Sequence, residues 1–95
     1  MILHIVNKSP FEHPAWQQCL RTLDEHDSVL LIEDGTLLLS NPSALNSLPP
    51  PERLFILGDD AKSRGIALNS AVASVADYGR FVELVALHAK TLSWF

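Results

Sequence analysis

The 95-residue chain sets seven Lys and Arg against eleven Asp and Glu, a formal charge of −4, and its scattered cations form no stripe of the kind that binds nucleic acid strongly. Its longest apolar runs are a few residues, far below the roughly 18 that a membrane-spanning helix needs, and its length suits one domain, 1–95, short of a typical self-sufficient enzyme. With 47% hydrophobic and only 19% charged residues, it holds more apolar surface than a small core uses, which predicts burial against another subunit.

Ile2 to Val6 is a short apolar run that ends at Asn7-Lys8-Ser9-Pro10, so the chain opens on a buried strand. No basic leader precedes it, which predicts a cytoplasmic protein. From Pro14, suited to the first turn of a helix, Trp16, Cys19, Leu20 and Leu23 recur at i, i+3, i+4 and i+7, the pattern of an amphipathic helix. Its apolar stripe centres between Leu20 and Leu23, which sets Cys19 on the flank beside Thr22, within reach of solvent. As a lone cysteine it excludes an internal disulfide and fits a reducing compartment. It reads either as a small core filler or as a reactive thiol.

Val29 to Ile32 predicts a second strand, stopped by Glu33-Asp34-Gly35. Thr36 to Leu48 reads as a broken short helix, and Pro49-Pro50-Pro51 as a stiff connector. Leu54 to Leu57 predicts a third strand, then a short helix capped by Asp59 or Asp60 and ended by Gly65. Val72 to Val75 is a candidate fourth strand. Asp77 then caps a helix with Tyr78, Phe81, Val82, Val85 and Ala89 on its apolar face and Arg80 and Glu83 opposite. Thr91 to Phe95 forms an extended tail.

Apolar strands alternating with helices predict an α/β three-layer sandwich, with a small, mainly parallel sheet of four or five strands flanked by helices. The loops after its strands would share one edge, carrying Lys8, Ser9, Glu33, Asp34, Asp59 and Asp60. That edge is acidic and lacks a glycine-rich phosphate cradle, so no nucleotide or other cofactor is expected. Asn7-Lys8-Ser9-Pro10 also lacks the acidic residues that a phosphorelay receiver needs after its first strand. His4, His13, His26 and His88 have no metal-site spacing, so no metal is expected. Ser9 and Asp34 lack a nucleophile elbow. Leu87 lies on the charged side of the last helix. With Leu37, Leu38, Leu39, Trp94 and Phe95 it either joins an oligomer contact or, for the aromatic tail, folds back on the core.

The run Leu3-His4-Ile5-Val6-Asn7-Lys8-Ser9-Pro10-Phe11-Glu12, followed by Gln18-Cys19-Leu20-Arg21 and Leu30-Leu31-Ile32-Glu33-Asp34-Gly35, resembles the DsrH/TusB family. Members open on a similar LHTVNKSPF segment, place a CL pair in the first helix and follow the second strand with an EDG turn. The likeness continues more loosely through Leu54 to Gly65, where the family helix ends in RG, to a terminal tryptophan, here Trp94. The sequence departs from the family at Thr36-Leu37-Leu38-Leu39, where tyrosine and small residues are usual.

The resemblance implies a DsrE/DsrF/DsrH-type fold and a heterohexamer with TusD/DsrE-like and TusC/DsrF-like subunits, two copies of each. In the Tus branch such a complex passes persulfide sulfur through a TusE-like protein toward 2-thiouridine at the tRNA wobble position. In the Dsr branch it passes sulfur to a DsrC-like carrier during sulfur oxidation. The main acceptor cysteine is implied to sit on the TusD/DsrE-like partner, which leaves this chain an accessory subunit and Cys19 either an auxiliary persulfide carrier or a packing residue. A self-assembling small-ligand domain using the acidic edge is the remaining reading.

Overall fold

A computed structural model describes residues Met1–Phe95. Five strands, β1 (Ile2–Val6), β2 (Ser28–Leu31), β3 (Leu54–Leu57), β4 (Ser74–Ala76) and β5 (Lys90–Trp94), form one sheet in the order β4-β3-β2-β1-β5. Every neighbouring pair is parallel. Parallel strands covered on both faces are apolar at successive positions, and β2 and β3 are buried at all four residues.

The helices are α1 (Ala15–Thr22), α2 (Gly58–Ser63) and α3 (Tyr78–Leu87), with 3₁₀ segments at Glu33–Ser40 and Leu45–Ser47. The chain advances through β1, β2, β3 and β4 in one direction across the sheet, then returns past three strands to lay β5 beside β1. Right-handed crossovers place the connections of the forward walk on one face and that of the return on the other. The packing agrees. Val6, Val29, Leu31, Leu54 and Ile56 meet Trp16 and Cys19 of α1, Leu38 and Ala61 on the first face. Leu3, Ile5, Leu30, Phe55 and Ala76 meet Leu84 of α3 on the second, with Phe81 half-buried beside them.

The predicted three-layer sandwich is therefore present, with the tail recruited as a fifth strand, and four local expectations change. The fourth strand lies at Ser74–Ala76, not at Val72 to Val75. Thr36 to Leu48 is not α-helical; it winds as the two tighter segments, in which Thr36 Oγ1 donates to Glu33 O at 2.7 Å and Ser40 Oγ to Leu37 O at 2.8 Å. Neither Asp59 nor Asp60 caps α2, which starts without a side-chain cap. Leu84 is the residue α3 buries, while Tyr78, Val82 and Val85 face outward. A second apolar line through Phe81 and Leu84 won the core, because the crossover from β4 sets that side of α3 against Phe55 and Ala76.

Two helix ends follow their chemistry closely. Asp77 Oδ1 accepts from Arg80 N at 2.7 Å and caps α3. Gly65 ends α2 at φ 67°, where Gly65 N donates to Lys62 O and Ile66 N to Ala61 O. Ile66 and Ala61 pack in one cluster beneath that turn.

Candidate functional site

The carboxyl edge of the sheet gathers the loops after β1, β2 and β3. Ser9 Oγ accepts from Phe11 N at 3.2 Å, and Ser9 O from Glu12 N and His13 N, which turns the chain toward α1. The Glu33-Asp34-Gly35 turn folds onto the end of β1, where Ile32 N donates to Val6 O at 3.0 Å. Gly35 presses against the same carbonyl group: a Cβ there would lie 2.7 Å from Val6 C and closer still to its oxygen. Only glycine permits that approach. Glu33 adopts φ 48° and donates its N–H to Asp60 Oδ2 at 2.7 Å. Asp34 pairs with Arg64 Nε at 2.8 Å, and Arg64 Nη1 also donates to Asp60 O.

Two of the acidic residues at this edge are thereby committed to architecture. Asp60 holds the strained Glu33 peptide, and Asp34 ties the EDG turn to the Arg64-Gly65 end of α2. The EDG turn and the RG ending of the looser match are thus one physical unit. Asp59 remains open and borders a cleft of about 700 Å³ between the ends of β3 and β4, α2 and the start of α3. Phe55 lies within it, and the Arg80 guanidinium sits 5.6 Å from the centre of its ring. Arg80 also reaches Glu83 at 3.5 Å. With Lys62, Asp59 and Asp77 around it, the cleft carries both signs of charge.

Cys19 lies elsewhere and is completely buried, which corrects the solvent-reachable position expected from helix geometry. Extending the sheet to β5 brings Trp94 over the same layer and covers the flank of α1. Burial pushes the Cys19 thiol up to about 12, with a further contribution from the negative charge of Asp27. Thiolate chemistry needs the opposite environment.

A buried polar chain that the sequence reading missed joins three distant segments. Trp94 Nε1 donates to His4 Nδ1 at 3.0 Å, and His4 Nε2 meets Asp27 Oδ2 at 2.9 Å. The indole can only donate, so Nδ1 must accept and the imidazole proton sits on Nε2, aimed at the carboxylate. Asp27 also accepts from Ile2 N and Asp24 N. Burial opposes its charge, yet the hydrogen bonds from His4, Ile2 and Asp24 outweigh that and hold its carboxyl below the ordinary 3.8. The available signal was a histidine inside an apolar strand, which requires a buried partner.

The apolar surface candidates divide. Leu38 is buried, Leu37 and Leu39 are half-buried, and Trp94 folds back onto His4, whereas Leu87 and Phe95 are 64% and 68% exposed. No helix is long and apolar enough to cross a membrane.

Residues 8–91 match the family model described as "DsrH like protein". Among curated relatives, the chain is 31% identical to Protein TusB of Pectobacterium parmentieri and 32% identical to Protein TusB of Yersinia pestis, in each case over 98% of this chain and the whole of the relative. Two solved structures share the fold. The ychN protein from E. coli superposes with a TM-score of 0.75 at 14% identity over 97% of both chains. Tm0979 from Thermotoga maritima does so at 0.67 with 21% identity, over 90% of this chain and 92% of that one. With a family model covering most of its length and full-length relatives above 30% identity, the chain belongs to the DsrH-like protein family.

Proposed function

We propose that this chain is a subunit of a cytoplasmic sulfur-relay complex, working with TusC/DsrF-like and TusD/DsrE-like partners and exchanging sulfur with a TusE/DsrC-like carrier through them. The observation that carries this reading is the placement of its only thiol. Cys19 has no exposed surface and is held protonated by its surroundings, so the transferred sulfur travels on a partner's cysteine while this chain supplies shape and buried surface. Its part is structural, and the exposed Leu87 and Phe95 belong to the surface that meets non-identical subunits. The match to TusB proteins over their full length favours the branch that leads to 2-thiouridine at the tRNA wobble position over sulfur delivery to a DsrC-like carrier in sulfur oxidation.

The test is intact mass after incubation with a low-molecular-weight persulfide donor. The folded chain stays at its own mass, and only after denaturation does Cys19 react with a thiol reagent at the rate of a free thiol. Native-state gain of about 32 Da, the mass of one sulfur atom, would make Cys19 an auxiliary persulfide carrier and overturn its assignment to packing.

A further inference from the structure

Strand β5 is the least enclosed in the sheet. It is an edge strand paired only with β1, and four of its five residues are exposed, Trp94 alone being half-buried. Beyond backbone pairing, Trp94 is its anchor. The indole packs against the cluster beneath α1, and its Nε1 donates to His4 Nδ1 at 3.0 Å. The two rings lie within 20° of parallel with centroids 6.1 Å apart. They therefore meet edge to edge through that bond, and neither offers its face to the other.

Neutral His4 donates from Nε2 and accepts at Nδ1, whereas an imidazolium donates from both nitrogens. The bond from Nε2 to Asp27 Oδ2, at 2.9 Å, survives protonation and becomes an ion pair. Nδ1–H, however, then faces the indole N–H, donor against donor. His4 is completely buried, so water cannot serve Nδ1 while Trp94 stays in place. Around the pair stand the Arg53 guanidinium, which donates to Asp24 O and Asp27 O, the Cys19 thiol of α1, which senses the charge of Asp27, and the exposed Lys90, opposite Ile2 in the β1–β5 register. None of them supplies an acceptor at Nδ1. His88, just before β5, behaves in the opposite way: its Nδ1 lies 2.7 Å from Leu84 O, a carbonyl that requires a donor, so protonation leaves that bond intact.

We propose that His4 is an acid-sensitive latch on β5: a proton on its Nδ1 expels the Trp94 indole and loosens the strand from β1. The proton comes from solvent as the indole swings away and returns to solvent before the indole docks again, so no other group changes charge. Opening uncovers the β1 edge and the flank of α1 that holds Cys19, both of which β5 covers in the closed form. Exchanging one buried hydrogen bond for a donor facing a donor raises the open population about tenfold or more. The other four strands keep their pairing. The inference goes beyond the relay reading and rests on the hydrogen bonds of His4 alone.

Hydrogen exchange of the Trp94 indole N–H reads the latch, followed by NMR on the full chain from about pH 8 to about pH 5, the interval in which histidines change charge. Rates are corrected for the intrinsic pH dependence of indole exchange, and a Trp94→Phe chain distinguishes the signal from that of Trp16. The corrected rate rises about tenfold or more toward the acid end. Over the same interval the Val29 amide, which donates to Arg53 O at 2.8 Å, keeps its protection. His4→Gln removes the rise, because its amide accepts from the indole and donates to Asp27 without titrating. In the wild-type chain, the ring nitrogen shifts of His4 pass from the Nε2–H tautomer to the imidazolium together with the rise. A wild-type indole with one corrected rate throughout, a rise that His4→Gln retains, or a His4 ring that stays neutral through the rise overturns the proposal.

Discussion

Replacing Gly35 with alanine is expected to cost about 3 kcal/mol or more of unfolding free energy, read as a lower urea midpoint at unchanged slope. The cause is backbone against backbone. An added Cβ meets the Val6 carbonyl group, and Asn7 Cα lies 3.3 Å away, so no flexible side chain can move aside. Relief requires the EDG turn to lift from the end of β1. That movement pulls on the Ile32 N–H bond to Val6 O, the Glu33 bond to Asp60 and the Asp34 pair with Arg64. Gly65→Ala meets no atom within 4 Å but keeps φ 67°, so its cost is only that of a left-handed alanine, about 1–2 kcal/mol. A Gly35→Ala protein as stable as wild type would show that the turn does not press on β1 as described.

Asp27→Ala is expected to lower stability by about 3 kcal/mol, since it leaves His4, the Ile2 N–H and the Asp24 N–H without their acceptor. His4 has no exposed surface, so water cannot substitute without opening the fold. The same group sets an acid limit. The folded-state carboxyl of Asp27 lies below its ordinary 3.8, so its contribution is complete above that value and is lost as pH falls through the folded one. Urea unfolding between pH 6 and pH 3 should show wild-type stability declining toward the acid end, with a flatter profile for Asp27→Asn over the same interval. Parallel profiles would mean that Asp27 is not preferentially charged in the folded state.

Much of this architecture was legible because short strands buried on both faces leave unbroken apolar runs, as at Leu54–Leu57, and because Asp77 and Gly65 carry local chemistry that needs no tertiary context. The outward face of α3 was not. Tyr78, Val82 and Val85 form one apolar line and Phe81 and Leu84 another, and helical periodicity alone cannot rank two lines about 100° apart. The crossover from β4 to β5 decides between them, and that is a property of the sheet. Cys19 was misplaced for a related reason. Its flank position is exposed only if nothing lies beside α1, and the recruitment of the tail as β5 puts Trp94 there. The acidic edge was correctly gathered, but its roles were hidden: Asp34 and Asp60 serve residues about thirty positions away in sequence.

The proposed role requires this chain to work inside an assembly of unlike subunits. Light scattering coupled to size exclusion, on the chain mixed with purified TusC/DsrF-like and TusD/DsrE-like proteins, measures that directly. One species containing all three chains, formed equally well by a Cys19→Ser protein, is the predicted result. Separate elution of a folded chain from both partners at every ratio would contradict it.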